Sequence, residues 1–257
     1  MNLLTQQRID AVRITRPQEI RQAAQALHEI SMECGMRAAP QHDIAGKRTP
    51  VDPDGSILAR DVFGWTETDK VWWRNARIAL DSPITTACRF ESQPFWVSKE
   101  GFHCRSLNPY LDAIDLTDFD NRAMTNAAIV VPVHLPFGQI GAVSFNPLDR
   151  TQVDLTDAYL EYGDVFGVYA HTFISTYVHV TGTSQGLPAA SRLSKREVEC
   201  LRWAAVGKTD LEISMIMSRS RATVRFHLHN ASMKLNAVNR SQTLFKAAQL
   251  GYISITS

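Results

Sequence analysis

Between Leu193 and Ser257 the chain writes four helix starts in succession, and this restricts its fold more than any other feature. In Leu193-Ser194-Lys195-Arg196-Glu197, the Ser194 hydroxyl suits the third amide of a helix, and Glu197 can reach back to the Ser194 amide. A helix therefore begins at Lys195. Its apolar positions Val198, Leu201 and Ala205 share a side, and Gly207 supplies a left-handed stop, so it ends near Val206. Thr209-Asp210-Leu211-Glu212 repeats the reciprocal cap, and Ile213, Ile216 and Met217 give the second helix one buried side. Ser218-Arg219-Ser220 is a short polar break, and Ser220 caps a run from Arg221 to Leu235 that holds neither Pro nor Gly. A fourth helix starts at Arg240, with Asn239 as cap and Gln242 three residues on, and closes at Gly251.

A short helix, a tight turn and a longer helix form a helix-turn-helix, whose second helix enters a DNA major groove. At about 100° per residue, Val224, Leu228, Ala231 and Leu235 fall on one side of that helix, and Arg221, Arg225, His229 and Ser232 on a flank. Arginine presents a planar fork to guanine O6 and N7, which makes Arg225 the candidate base reader. Lys208 and Thr209, at the start of the preceding helix, are candidates for phosphate, with the helix-end amides assisting. The plainer alternative is a solvated charged face on a helical hairpin. Charge favours the first reading: from Leu193 onward there are ten basic and four acidic residues, a net of +6, and the remaining seventeen basic and twenty-two acidic residues leave −5. The overall +1 conceals two regions of opposite sign.

The run from Glu197 to Thr209, with Glu212-Ile213, Thr223-Val224-Arg225-Phe226-His227, Asn230, Lys234-Leu235 and Asn239-Arg240, resembles the LuxR-type helix-turn-helix of bacterial transcription factors. The resemblance implies a recognition helix from Arg221 to Lys234 and a last helix that joins two DNA-binding domains. It also implies that Arg225 and His229 approach bases; with Lys208, Thr209, Arg221 and Thr223 these are the candidate DNA contacts.

The larger part of the chain is read differently. A length of 257 residues with 44% apolar content suits two globular domains. No apolar run is long enough for a membrane span and the first residues lack an apolar signal core, so a soluble cytoplasmic protein is expected. Cys34, Cys88, Cys104 and Cys200 have no CxxC spacing and fit free thiols in a reducing compartment; Cys200, beside core positions, reads as packing. His103-Cys104 and the other histidines show no metal-ligand spacing. There is no phosphate loop, nucleophile elbow or metal motif, so neither catalysis nor a cofactor is expected. Helices are expected over Pro17 to Glu33 and Leu155 to Tyr177, and strands over Ala128 to His134 and Ile140 to Phe145 around a turn at Leu135-Pro136-Phe137-Gly138-Gln139. These elements suggest an α/β/α sandwich with a central antiparallel sheet, followed by an all-α, four-helix C-terminal domain. The polar stretch with Gly and Pro from His179 to Ser191 reads as a linker, giving domains over 1–178 and 193–257 with 179–192 between.

Phe63, Trp65, Trp72, Trp73, Phe90, Phe95, Trp96 and Phe102 crowd into the middle of the first domain. Such residues can line an apolar pocket or form an ordinary aromatic core. Here again there is a resemblance, to the N-terminal domain of quorum-sensing LuxR-type regulators, which binds an acyl-homoserine lactone through a Trp, a Tyr, an Asp-Pro and a second Trp. It rests on Lys70 to Pro83, on Pro94-Phe95-Trp96 and on the hairpin from Pro132 to Phe145. It implies ligand contacts at Asp81, at Trp96 in the second Trp position and at Trp72 in the Tyr position. The first Trp position is Thr68, with Trp65 three residues upstream as a substitute. Ser82 splits Asp-Pro, and a family glycine is Ala128. The implied signal is therefore an acyl-homoserine-lactone-like molecule or a different one, a ring stacked on Trp72 and Trp96 among the alternatives.

The reading is a homodimeric transcription factor, not an enzyme, acting on a two-fold double-stranded DNA operator under control of an apolar or amphipathic small molecule. The alternative is a ligand-independent regulator or antiactivator whose N-terminal domain only dimerises. An enzyme fused to a DNA-binding module lacks catalytic spacing, and a phosphoryl-accepting receiver domain lacks an early acidic cluster.

Overall fold

The computed structural model describes residues 3–46, 48–66, 78–182 and 192–254. The chain divides into two compact units, with the division after Gly182.

In the N-terminal unit, helix α1 (Gln6–Val12) and helix α2 (Ile20–Glu33), led in by a 3-10 turn at Pro17–Glu19, precede strand β1 (Met36–Gln41). Short helices α3 (Leu58–Asp61), α4 (Ile78–Asp81) and α5 (Pro83–Ala87) lead to strands β2 (Phe95–Ser98) and β3 (Gly101–His103). Helices α6 (Pro109–Asp112) and α7 (Phe119–Ala123) are followed by the hairpin of β4 (Ala127–His134) and β5 (Ile140–Pro147), and then by the long helix α8 (Thr156–Thr181). The sheet runs β1-β5-β4-β2-β3, every neighbour antiparallel.

Side chains alternate along a strand, so the register sorts residues into two faces. Ala38, Phe145, Ile129 and Trp96 lie across neighbouring strands on one face, and Ala39, Ser144, Val130 and Phe95 on the other. The first face packs on α1, α2 and α8 in a core that includes Ile20, Leu27, Phe166 and Phe173. The second carries Phe95, Val97, Ala128 and Val130 against Ala87, Leu111 and Phe119 of the short helices. Helices therefore cover both faces, and the expected α/β/α arrangement with a central antiparallel sheet is what forms.

Helix α8 is anchored by tyrosines whose rings are buried and whose hydroxyls find backbone partners, as a buried phenol requires. Tyr159 donates to Pro94 O at 2.8 Å, Tyr169 to Leu3 O at 2.5 Å, and Tyr177 accepts from the Val51 amide at 2.9 Å. Gly141 lets β5 approach this helix: a Cβ there would meet Ile174 Cγ2 at 2.6 Å. The hairpin turn places Phe137 and Gly138 at φ of 65° and 74°, with the Leu135 amide donating to Gln139 O. Gly138 suits that left-handed conformation, whereas Phe137 adopts it against its preference.

One boundary differs from the expectation. The first domain was placed at 1–178 with a linker over 179–192, but α8 runs on through Thr181. His179-Val180-Thr181 contains no helix breaker, Val180 packs on the core, and the first glycine is Gly182. Residues 183–191 lie outside those described.

In the C-terminal unit, α9 (Lys195–Ala205), α10 (Asp210–Ile216), α11 (Arg221–Lys234) and α12 (Arg240–Gln249) begin where their caps predict. Ser194 Oγ accepts from the Glu197 amide at 3.3 Å and the Ser194 amide donates to Glu197 Oε2 at 2.6 Å. Thr209 and Glu212 repeat both bonds, at 3.3 and 2.8 Å. Ser220 caps α11 through the Thr223 amide, and Asn239 caps α12 through that of Gln242. Gln242 Oε1 differs from the expected box, accepting from Val238 rather than from Asn239. Gly207 and Gly251 close their helices at φ of 92° and 73°.

The buried sides are rotated slightly from the expected ones. Cys200, Leu201 and Ala204 are buried on α9, while Val198 and Ala205 are only half-buried. Ile213 is buried on α10, whereas Ile216 is 44% exposed. The reason is a short helix touched from one direction: Ile213 meets Cys200, Ala204 and Val224 in one cluster. Of the four apolar positions expected inward, Val224 and Ala231 of α11 and its C-cap Leu235 are buried, and Leu228 is half-buried.

Candidate nucleic-acid interface and ligand cavity

The exposed flank of α11 follows from its buried one. Once Val224, Ala231 and Leu235 face inward, Arg221, Arg225 and His229 are left exposed, and Thr223 is half-buried. The Ser220 and Thr223 hydroxyls lie 2.9 Å apart, so Thr223 joins the cap that starts the helix. Thr209 is committed to its own cap: its amide and hydroxyl both donate to Glu212 Oε2, at 2.8 Å each. That amide is therefore not available to assist a phosphate. The bonds from Thr209 also hold the Glu212 carboxyl below the usual carboxylate range. Lys208 lies 3.6 Å from Glu212 and lines a shallow concavity with Thr209, Asp210, Arg221 and Arg240.

Two contacts in this unit were not legible from spacing. The Asp210 carboxylate accepts from Arg225 Nε at 3.4 Å and from Arg240 Nη1 at 2.5 Å. Glu197, only 3% exposed, takes Lys234 Nζ at 2.8 and 2.9 Å across to the far end of α11. Burial pushes the Glu197 carboxyl up, but the bonds from Lys234 and Ser194 outweigh it and hold the group below its ordinary range.

The N-terminal unit holds a cavity of about 350 Å³ on the sheet face opposite α8. Its sheet wall carries Gln41, Ser144 and Asn146; Trp65, Ser82, Thr85 and Met124 contribute further around it. Asn146 Nδ2 donates to Ser144 O at 3.2 Å and Arg37 O at 3.4 Å, which fixes the amide. Gln41 Oε1 is buried and has no hydrogen-bond partner among the described residues. A buried acceptor left unpaired costs roughly 1–3 kcal/mol.

The expected ligand residues divide. Trp65 lines the cavity, but its indole N–H is spent on Ala38 O at 2.7 Å, and the Arg37 guanidinium sits 5.3 Å from its ring centre. Thr68 and Trp72 lie outside the described residues. Asp81 is a correction: its side chain is exposed, and its carbonyl accepts from Arg122 Nε at 3.0 Å. The buried residue beside Pro83 is Ser82, 1% exposed, whose hydroxyl caps α5 and which lines the cavity. Trp96 is a second correction, because strand alternation turns it to the α8 side. There it stacks on His103 with centroids 3.9 Å apart and rings inclined by 12°. Ala128 shares the cavity's sheet face but is sealed among Phe95, Val97 and Phe119. Of the described aromatics, Phe63, Trp65 and Trp96 lie in one core, Phe95 and Phe102 go with the other, and Phe90 is 50% exposed against Tyr110. The sequence signal that finds the cavity wall is milder: Ser144 and Asn146 alternate with Val143 and Phe145 along β5.

Cys34, Cys88, Cys104 and Cys200 form no disulfide, and burial pushes the thiols of Cys34 and Cys200 up to about 11. Cys200 packs in the core with its sulfur 3.6 Å from Met217 Sδ. Among the described residues no helix is long and apolar enough to cross a membrane.

Residues 191–247 match the family model described as bacterial regulatory proteins, luxR family. The transcriptional activator protein VanR of Vibrio anguillarum is 35% identical over 129 residues, which cover 50% of this chain and 52% of VanR. The quorum sensing-dependent transcriptional regulator VjbR of Brucella ovis is 37% identical over 144 residues, 54% of this chain and 52% of VjbR. The chain thus spans about half the length of the curated relatives it matches. Either alignment is longer than the C-terminal unit and so takes in part of the N-terminal one. The crystal structure of Escherichia coli SdiA aligns over 96% of this chain and 95% of that one, at 22% identity and a TM-score of 0.49.

Proposed function

We propose, from the match of residues 191–247 to the luxR family of bacterial regulatory proteins, that the chain is a transcription regulator that binds a two-fold DNA site as a homodimer under control of a small molecule. The observation that carries this reading is the α11 flank. Arg221, Arg225 and His229 stand exposed on a helix fixed at both ends, by the Ser220 cap and by the Lys234–Glu197 pair. Arg225 and His229 would address base edges, with Lys208, Thr209, Arg221 and Thr223 toward the backbone. Helix α12, which presents an exposed Phe245, would join the two DNA-binding units. Acting on DNA places such a protein in the cytoplasm.

For the N-terminal unit, the cavity of mixed polar and apolar lining supports a small-molecule site, and the relative named quorum sensing-dependent favours a signal. A ligand with an N–H or O–H group would satisfy Gln41 Oε1, and Ser82, Ser144 and Asn146 would orient it. It would act through different affinities for two states of the protein.

Arg225→Ala in the full chain, profiled against a pool of randomised duplexes, should lose roughly 1–3 kcal/mol of sequence discrimination at one position with the fold intact. Undiminished discrimination would remove Arg225 from base readout. Native mass spectrometry of the purified chain should show a bound small molecule that is lost in Ser144→Phe, which fills the cavity. An N-terminal unit without any such mass in either protein favours the ligand-independent regulator.

A further inference from the structure

Asp210 occupies the first position of α10, where an acidic residue already suits the helix dipole. Its contacts reach further than that role requires. One carboxylate oxygen takes Arg240 Nη1 at 2.5 Å, from the first turn of α12, and the other takes Arg225 Nε at 3.4 Å, from the exposed flank of α11. Arg240 is itself fixed, since its Nη2 donates to Lys208 O at 2.8 Å. The carboxylate is 20% exposed, while the Arg225 side chain is 61% exposed. As a stabilising device an ion pair this open is worth little.

We propose that Asp210 is a specificity-determining positioning residue, which holds Arg225 by its Nε so that the terminal Nη1 and Nη2 pair is the edge offered to DNA. This role rests on the reading of Arg225 as a base contact and follows from the shape of the guanidinium. An arginine can present a bidentate fork either from its side, through Nε and one Nη, or from its end, through both Nη groups. A carboxylate on Nε closes the first option and fixes the plane of the second. The long side chain then surrenders less rotational freedom when it meets guanine O6 and N7. A negative group near DNA would ordinarily repel phosphates. Here two arginines share one carboxylate, so the cluster remains cationic, and Arg240 keeps the charge of Asp210 compensated when Arg225 engages a base. The same carboxylate joins the helix that would read DNA to the first turn of the helix that would pair the two units.

The test is Asp210→Asn in the full-length chain. Affinities for duplexes enriched from a randomised pool are compared with those for unselected duplexes at one salt concentration. Discrimination should fall about three- to tenfold, while affinity for unselected duplexes holds or rises, since a negative charge is gone. In an Arg225→Ala background the same substitution should change discrimination by less than about twofold, because the two residues act as one unit. Asp210→Glu, which keeps a carboxylate, should retain discrimination that Asp210→Asn loses. The proposal is overturned if Asp210→Asn scales both affinities by one factor, which is charge repulsion alone, or if its effect persists undiminished without Arg225. It is also overturned if Asn and Glu variants lose discrimination together with thermal stability, which marks a purely structural tie. If Arg225→Ala itself leaves discrimination intact, the base-reading role of Arg225 falls as well. If Arg225→Ala abolishes discrimination and Asp210→Asn does not, only the role of Asp210 falls.

Discussion

The two units are held together over different distances along the chain. In the C-terminal unit the bonds that start α9, α10, α11 and α12 each join residues three apart, as with Ser194 and Glu197 or Asn239 and Gln242. In the N-terminal unit the bonds that seat α8 and line the cavity join residues separated by 27, 65, 126 and 166 positions, at Trp65, Tyr159, Tyr177 and Tyr169. A cap forms as soon as its own turn does, whereas a long-range bond forms only after the sheet has closed and the loop entropy has been lost. A single cap change should therefore act on one helix, and a single core change should loosen a whole layer of the N-terminal unit.

The largest expected effect belongs to that layer. Phe173 is fully buried against Phe63 and Tyr177, and Phe173→Ala should destabilise the N-terminal unit by about 3–5 kcal/mol. Denaturant unfolding followed at resolved amides should place the loss there and leave α9 to α12 unmoved; an equal loss in both units would break the comparison. Next comes a long-range tie within the C-terminal unit, the Lys234–Glu197 pair. Glu197→Ala removes a capping partner and strands a lysine that is one-third exposed, which together should cost about 2 kcal/mol. Since the folded Glu197 carboxyl sits below its ordinary range, its contribution is present at neutral pH. It fades as pH falls from about 5 through the ordinary carboxylate value toward the folded one. Melting temperature measured against pH should show that acid-side slope in the wild type and a reduced one in Glu197→Ala. The smallest effect is the most local: Thr209→Ala should cost about 1 kcal/mol, read as a lower melting temperature by circular dichroism. A loss several times larger would mean that the Thr209–Glu212 box supports more than its own helix.

The same contrast explains which expectations held. Helix starts in the C-terminal unit, the exposed flank of α11 and the β4–β5 hairpin were legible because their signals lie within a few residues of one another. How the candidate ligand residues sit around the cavity was not, and each separation has a geometric cause. Asp81 and Ser82 are adjacent in sequence, yet only Ser82 is buried in the cavity wall, because its hydroxyl caps α5 and draws it inward. Trp96 and Phe95 are likewise adjacent, and strand alternation sends them to opposite faces. Parity shows that they part, but not which face will hold a cavity.

What this sequence determined by itself is the C-terminal unit: four helices whose caps, break and basic flank follow from local hydrogen bonding and helical periodicity. Only the tertiary structure decided the cavity of the N-terminal unit and the joints. It brought Gln41, Ser82, Ser144 and Asn146 around one cavity, turned Trp96 away from it, and gathered Arg225 and Arg240 on the carboxylate of Asp210. The physical reason is reach: a cap spans one helical turn, whereas a cavity wall or a shared carboxylate exists only where separate elements pack.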